Sequence, residues 1–199
     1  MDASLQIRMQ RQILQRGSDG WMGSDQVALA PGFRRAGRAD AAKVRDLFCR
    51  SFADTFGHTY PPGEMERWFD ENCTLERFEG ECTDADFAVF LAEDGDRRLQ
   101  GYCTLGPYDI EPETTKRWWV LRQLYLDPAA KGTGLGQRLL EQGIAEARAR
   151  RYEELYLTVW IENHRARRFY ERNGFVEVGR YEFVVGDQVD DDRILRLTL

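Results

Sequence analysis

Residues 131–136 read Lys-Gly-Thr-Gly-Leu-Gly, and they lie between a strand and a helix. Upstream, Trp118–Leu126 is a short, largely apolar run closed by Asp127-Pro128, which predicts a strand. Downstream, Leu135, Leu139, Leu140, Ile144 and Ala147 form one apolar stripe, which predicts a helix from about Gly134 to Arg151. Leu155–Trp160 then reads as a second strand. Strand, helix and strand in this order make a β-α-β unit with parallel strands and a right-handed crossover. The glycine turn therefore sits at the C-terminal end of the first parallel strand. Glycines there let the backbone approach a ligand closely. The free N–H groups and dipole of the following helix suit a pyrophosphate, and Lys131 adds a positive charge. The same turn would also serve simply to reverse the chain. A dinucleotide fingerprint is excluded, because Gln137 stands where G-x-G-x-x-G needs its last glycine. No G-x-x-x-x-G-K-[ST] run exists either.

The rest of the chain supplies the other layers. Phe33–Ala36 is a short strand. Asp40 reads as an N-cap, with Val44, Leu47, Phe48, Phe52 and Phe56 at helical spacing behind it and Gly57 as a stop. Tyr60-Pro61-Pro62-Gly63 is a turn, and a second helix carries Met65, Trp68 and Phe69 with Glu64, Glu66, Asp70 and Glu71 exposed. Strands follow at Phe87–Ala92 and Leu99–Leu105, joined by a Glu93-Asp94-Gly95-Asp96 turn. After Trp160, a short helix at 163–173 stops at Gly174, and strands at Phe175–Val185 and Ile194–Leu199 finish the sheet. The expected order is strand, two helices, three strands, helix, strand, helix, two strands. Residues 1–32 are rich in Gly, Ser and Asp, and predict a poorly ordered extension, with 4–16 as a short amphipathic helix at most. Residues 33–199 then form a single domain.

Charge and cysteine usage narrow the classes. The formal net charge is −6 over 199 residues, which opposes a nucleic-acid partner and accommodates a cationic substrate. No apolar run approaches the roughly 20 residues of a membrane span, and no signal core is visible. Cys49, Cys73, Cys82 and Cys103 are scattered without a C-x-x-C pair, so reduced thiols and a cytoplasmic location are expected. With only His58 and His164 besides, no metal site is expected.

A second motif gives the turn its meaning. Residues 163–175 carry Asn163, Ala166, Phe169, Tyr170, Gly174 and Phe175 in an N-x-x-A-x-x-F-Y-x-x-x-G-F pattern. Together with Lys131-x-x-Gly134-x-Gly136 about 30 residues upstream, this resembles the GNAT superfamily of acetyl-CoA-dependent N-acetyltransferases. Lys131 takes the usual Gln/Arg place. The likeness covers everything from Phe33 to Leu199. It implies an α/β (α+β) fold: a mixed sheet of six to seven strands, helices on both faces, and central parallel strands that splay apart. Phe52-x-x-Thr55-Phe56-Gly57-His58-Thr59-Tyr60, Phe183-x-x-Gly186-Asp187 and Asp191-Asp192 are similar to the polyamine (spermidine/spermine) N-acetyltransferase branch.

The resemblance implies roles. The pantetheine arm of acetyl-CoA would pair with backbone groups of Leu124 and Leu126, flanking Tyr125, like an added strand. The Leu126 N–H would polarise the thioester carbonyl. The N–H groups of Gly132, Thr133, Gly134, Leu135, Gly136 and Gln137 would hold the pyrophosphate beside Lys131. Asn163 would bond the pantetheine amide region, or act as a plain N-cap. Tyr170, next to Phe169, would protonate the departing thiolate, or be a core aromatic. The partners implied are acetyl-CoA and a small amine, possibly a polyamine, with peptide or protein amines, or a non-catalytic acyl-CoA-binding role, as the other readings. A monomer or a homodimer is compatible with the sequence. One departure stands out. Many members carry a general-base Glu on the strand before the turn, where this chain has Val120 and Arg122, and no carboxylate lies between Lys116 and Leu126.

Overall fold

The computed structural model describes residues 32–199. The extension expected at residues 1–32, with its helix at 4–16, therefore lies outside the described residues except at Gly32.

The elements run β1 (Phe33–Arg35), α1 (Ala41–Phe56), α2 (Glu64–Asn72), α3 (Leu75–Thr83), β2 (Ala88–Glu93), β3 (Leu99–Gly106) and β4 (Trp118–Leu126). Then come α4 (Leu135–Ala149), β5 (Glu154–Trp160), α5 (His164–Arg172), β6 (Val176–Val185) and β7 (Gln188–Thr198). They form a mixed seven-stranded sheet in the order β1-β2-β3-β4-β5-β7-β6. Only β4 and β5 are parallel neighbours; the other pairs are antiparallel.

Three of the sequence expectations are corrected. A third helix, α3, stands where none was foreseen. Thr74 caps it by accepting from the Arg77 N–H at 3.3 Å, and Phe78 is its fully buried residue. Its single buried apolar side chain and its Gly80 left too weak a stripe to read. The last strand starts at Gln188, six residues earlier than expected, because β6 pairs with the acidic run Asp190–Asp192. Gly57 keeps right-handed helical backbone and leads into a 3-10 turn at Gly57–Thr59, so it is not a left-handed stop.

Each helix covers the sheet with the stripe its sequence provides. On one face, Leu139, Leu140 and Ala147 of α4 pack on Cys103, Leu105, Leu121 and Leu157. Burying each such leucine is worth about 1.5–3 kcal/mol. On the other face, Val44, Leu47, Phe48 and Phe52 of α1 pack with Phe78, Val89, Leu91 and Tyr102. The four cysteines are free, and Cys73 and Cys103 are buried.

Asp40 stands at the N-cap of α1 but does not cap it. Its two carboxylate oxygens instead accept from Arg34 at 2.7 Å each. Arg34 also donates to both oxygens of Glu93, at 2.9 and 2.8 Å, and so ties β1, α1 and β2 together. Hydrogen bonds from Arg34 hold the Asp40 carboxyl well below the ordinary carboxylate range and that of Glu93 down to about 2. This stabilisation is present above the ordinary carboxylate pKa near 4 and is lost as pH falls toward 2. Arg34→Ala leaves the two acids with Lys43 and, at Asp40, the Gly37 N–H. It is expected to cost about 2 kcal/mol, or roughly 4–8 °C in melting temperature, at pH 7. The deficit should shrink below pH 4, which thermal melts across pH will show.

Candidate active site

β4 and β5 pair only at Trp118↔Glu154, Trp119↔Leu155 and Val120↔Tyr156. Beyond Val120 they part, and the rest of β4, up to Leu126, has no ladder partner on that side among the described residues. A β-bulge at Arg122 contributes, since Leu121 pairs with Leu105 and Gln123 with Thr104. The direction of the exposed edge follows from the strand period of two. The Asp127 N–H donates to Gln100 O on β3 at 2.8 Å. The N–H and C=O groups of Leu126 and Leu124 therefore face the opposite way, into the gap beside β5, and those of Tyr125 face β3.

The glycine turn closes the end of this gap. Gly132 and Gly134 both have left-handed backbone, with φ of 87° and 83°. A β-carbon at either would meet nothing within 4 Å, so glycine is needed there for conformation and not for space. Gly136 has no such φ, and its β-carbon would touch Leu126 Cδ1 at an ordinary 3.4 Å. Among the described residues, the N–H groups of Gly132, Gly134, Leu135, Gly136 and Gln137 have no backbone acceptor. The Thr133 N–H makes one long bond, 3.5 Å, to Ala130 O. Lys131 is exposed beside them. The Gln137 side chain is engaged elsewhere: it donates to Asn173 Oδ1 at 2.7 Å and Glu141 Oε1 at 2.9 Å, tying α4 to α5.

α5 brings up the second motif. Asn163 is its N-cap, accepting from the Ala166 N–H at 3.1 Å. Its side-chain amide NH2 remains outside the cap. Phe169 and Tyr170 lie edge to face at 5.2 Å between ring centres. Both pack with Leu124, Leu126 and Leu135 against the α4 face of the core. The Tyr170 hydroxyl makes no hydrogen bond among the described residues, and burial pushes its pKa well above 10. Tyr125, between Leu124 and Leu126 on β4, packs on the other face of the sheet. The gap is thus lined from both sides of the sheet.

The α1 face carries a feature the sequence reading passed over. Asp190 and Asp192 of β7 are 9% and 8% exposed. Asp192 pairs in register with Trp160 of β5 and Tyr181 of β6, at the end of β5 where the gap is open. Asp190 accepts from the Tyr60 hydroxyl and from Gln188 Nε2. Among the described residues no Lys or Arg pairs with Asp192. Burial first, and then the Asp190 charge, push its carboxyl up to about 7. The signal that could have found the pair is a carboxylate at i and i+2 followed by Ile194 on one strand face.

Tyr60 and Trp68 belong to the aromatic packing around α1. Tyr60 is buried, and Trp68 stacks on Phe52 at 5.3 Å and meets Phe183 edge-on at 5.6 Å. Tyr60 is in the core and Trp68 packs against it, partly buried. Glu64 of α2 pairs with Arg67 at 3.2 Å and abuts Gly186, while Glu66, Asp70 and Glu71 face solvent. At the positions where the family base was sought, Val120 is buried, and Arg122 is buried against Glu81 at 3.3 Å.

A profile of the acetyltransferase (GNAT) family matches residues 43–175. The chain belongs to the GNAT family. It is 31% identical over 153 residues to an uncharacterized N-acetyltransferase in the pepI 3' region of Lactobacillus delbrueckii subsp. lactis, covering 75% of this chain and 86% of the relative. Among solved structures it is similar in fold to the PaiA N-acetyltransferase of Thermoplasma acidophilum in complex with coenzyme A. That likeness has a TM-score of 0.69 at 21% identity, over 84% of this chain and 98% of the other. It is also similar to a chimera of the Vibrio cholerae spermidine N-acetyltransferase SpeG with hSSAT. Here the TM-score is 0.61 at 24% identity, over 83% and 93% of the two chains. As a GNAT enzyme the chain is an N-acetyltransferase, an acyltransferase whose cosubstrate is acetyl-CoA. No helix among the described residues is long and apolar enough to cross a membrane.

Proposed function

We propose that residues 33–199 form one cytoplasmic acetyltransferase domain that acetylates a small cationic amine of the polyamine class by direct attack on the thioester. The observation that carries the chemistry is the unpaired β4 edge, with Leu124 and Leu126 facing a gap that ends on free N–H groups. Such an edge fits the amide-bearing pantetheine arm by strand addition. The Gly132–Gln137 N–H groups fit the pyrophosphate, and Lys131 adds charge. The Asn163 amide lies at the same end of the sheet, fit to meet the arm while its oxygen caps α5. The Leu126 N–H is the oxyanion donor. Tyr170, protonated at neutral pH, gives its proton to the sulfur as the C–S bond breaks.

For the acceptor, the support is electrostatic. The chain is acidic, and two buried carboxylates stand on the α1 face beside the gap. The segments around Phe52–Tyr60 and Phe183–Asp192 resemble the polyamine branch. Thiol release with spermidine, spermine, an amino-acid amide and a peptide N-terminus is the test. The polyamines are expected to give kcat/KM about tenfold or more above the controls, with a KM that rises with salt as screening weakens attraction. Controls that match the polyamines would discard this acceptor class and leave the acetyltransferase chemistry standing.

A further inference from the structure

We propose that Asp192 is the residue that takes the proton from the acceptor amine. The inference rests on the reading of an amine acceptor given above.

A primary amine near pKa 10 is an ammonium at neutral pH and cannot attack until it loses a proton. The strand that usually supplies a base has none here: Val120 is apolar and Arg122 is cationic. Asp192 has the required properties on a different strand. Paired strand residues share a sheet face, so Asp192, Trp160, Tyr181, Thr158 and Ile194 all look toward α1. The contact of Phe56 with Trp160, 5.8 Å between ring centres, confirms that face. Tyr170 and the α4 N-terminus stand on the other side of the gap. A thioester entering from the α4 side would thus meet an amine held on the α1 side, with acid and base on opposite faces.

The surroundings of Asp192 keep it a base. The tyrosines facing it are Tyr60 from the α1–α2 connection, Tyr108 from the β3–β4 loop, Tyr125 from β4 and Tyr181 from β6. Burial raises the pKa of each, and the Asp192 charge adds to the rise, which places all four within its field. On β7, the carboxylates of Asp190 and Asp191 both add negative charge. Asp191 is engaged with Arg193 at 2.9 Å, and Arg196 turns to Glu154 at 3.7 Å. Among the described residues, no Lys or Arg forms an ion pair with this buried carboxylate, whose neighbours include neutral hydroxyls and other carboxylates. A paired cation is what such a place lacks, and the ammonium supplies one.

The step balances. The ammonium gives one proton to Asp192, and the free amine nitrogen attacks the thioester carbon. The C–N bond forms, the C–S bond breaks, and the sulfur takes the Tyr170 proton. The second amine proton leaves the adduct and restores the tyrosine through solvent, and Asp192 releases its proton to solvent. A value near 7 lets Asp192 be ionised at working pH and still accept a proton.

The test is the pH dependence of kcat/KM with the best amine of the panel. Wild type should lose activity below about pH 7 as Asp192 becomes protonated. Asp192→Asn should lower kcat/KM about 10²–10⁴-fold at pH 7. The loss should shrink by about tenfold per pH unit up to the amine's own pKa near 10, because free amine then arrives unassisted. Asp192→Glu, which keeps a carboxylate, should recover part of the rate and an acid limb. Glu182→Gln, at an exposed carboxylate on β6, is the control and should stay near wild type. Calorimetric affinity for acetyl-CoA should be the same in all four proteins. Wild-type activity with an Asp192→Asn loss below threefold, or with a loss that is equal at every pH and in the Glu variant, overturns the assignment alone. A wild type that acetylates no amine overturns the acceptor reading and this inference with it.

Discussion

Gly134→Asp is expected to weaken acetyl-CoA binding by about 100-fold or more while the protein stays folded. Gly134 holds φ at 83° at the N-cap of α4, beside five N–H groups without backbone acceptors among the described residues. An aspartate is among the side chains that tolerate the left-handed region, so the conformational cost is about 1–2 kcal/mol. With nothing within 4 Å of the β-carbon, no clash adds to it. The melting temperature should fall by only a few degrees. The ligand meets a different situation. A carboxylate about 4 Å from a phosphate costs about 1 kcal/mol in water and about 4 kcal/mol at a protein surface, where each 1.4 kcal/mol is tenfold in affinity. It also accepts the N–H groups that phosphate oxygens need. Gly136→Ala is the contrast, since its β-carbon makes only an ordinary contact with Leu126, and near-native affinity is expected. Isothermal calorimetry of the two variants decides. Native affinity in a folded Gly134→Asp protein would remove the turn from the binding site.

Tyr170→Phe is expected to lower kcat by about 10²–10⁴-fold with acetyl-CoA affinity unchanged. The hydroxyl makes no hydrogen bond among the described residues, so its removal leaves no partner stranded and should not lower the melting temperature. The ring stays packed on Phe169 and Phe175, at 5.2 and 5.6 Å. Because burial raises the hydroxyl pKa, the wild-type group is protonated throughout the neutral range and supplies no acid limb of its own. Single-turnover measurement of thiol release separates chemistry from product release. A Phe variant with the wild-type single-turnover rate would assign Tyr170 to packing only.

Both residues were singled out from sequence, Gly134 by its turn and Tyr170 by the resemblance of residues 163–175 to the GNAT motif. The left-handed glycines, the Asn163 cap and the α4 stripe are each set within a few residues, and the order strand, turn, helix, strand admits few topologies. The same locality explains why α3 was missed: its cap and its one buried aromatic give too little periodicity. It also explains Tyr60 and Trp68. An aromatic near an acidic helix reads alike whether it lines a channel or fills a core, and only packing against Phe52 and Phe183 decides.

By itself the sequence determined the β-α-β unit and its glycine turn, and the resemblance to the GNAT motif singled out Tyr170. It left the proton acceptor open, because the strand before the turn has no carboxylate and spacing alone does not single out a remote one. The candidate we propose, Asp192, emerges only from the tertiary structure. The run Asp190–Asp192 is acidic enough to read as loop, yet β7 inserts between β5 and β6 and turns it into strand. Alternation then places Asp190 and Asp192 on the inward face and Asp191 on the outward one. Burial of a carboxylate, and with it a pKa near neutrality, is a property of neighbours contributed by four other segments of the chain, and no local spacing encodes it.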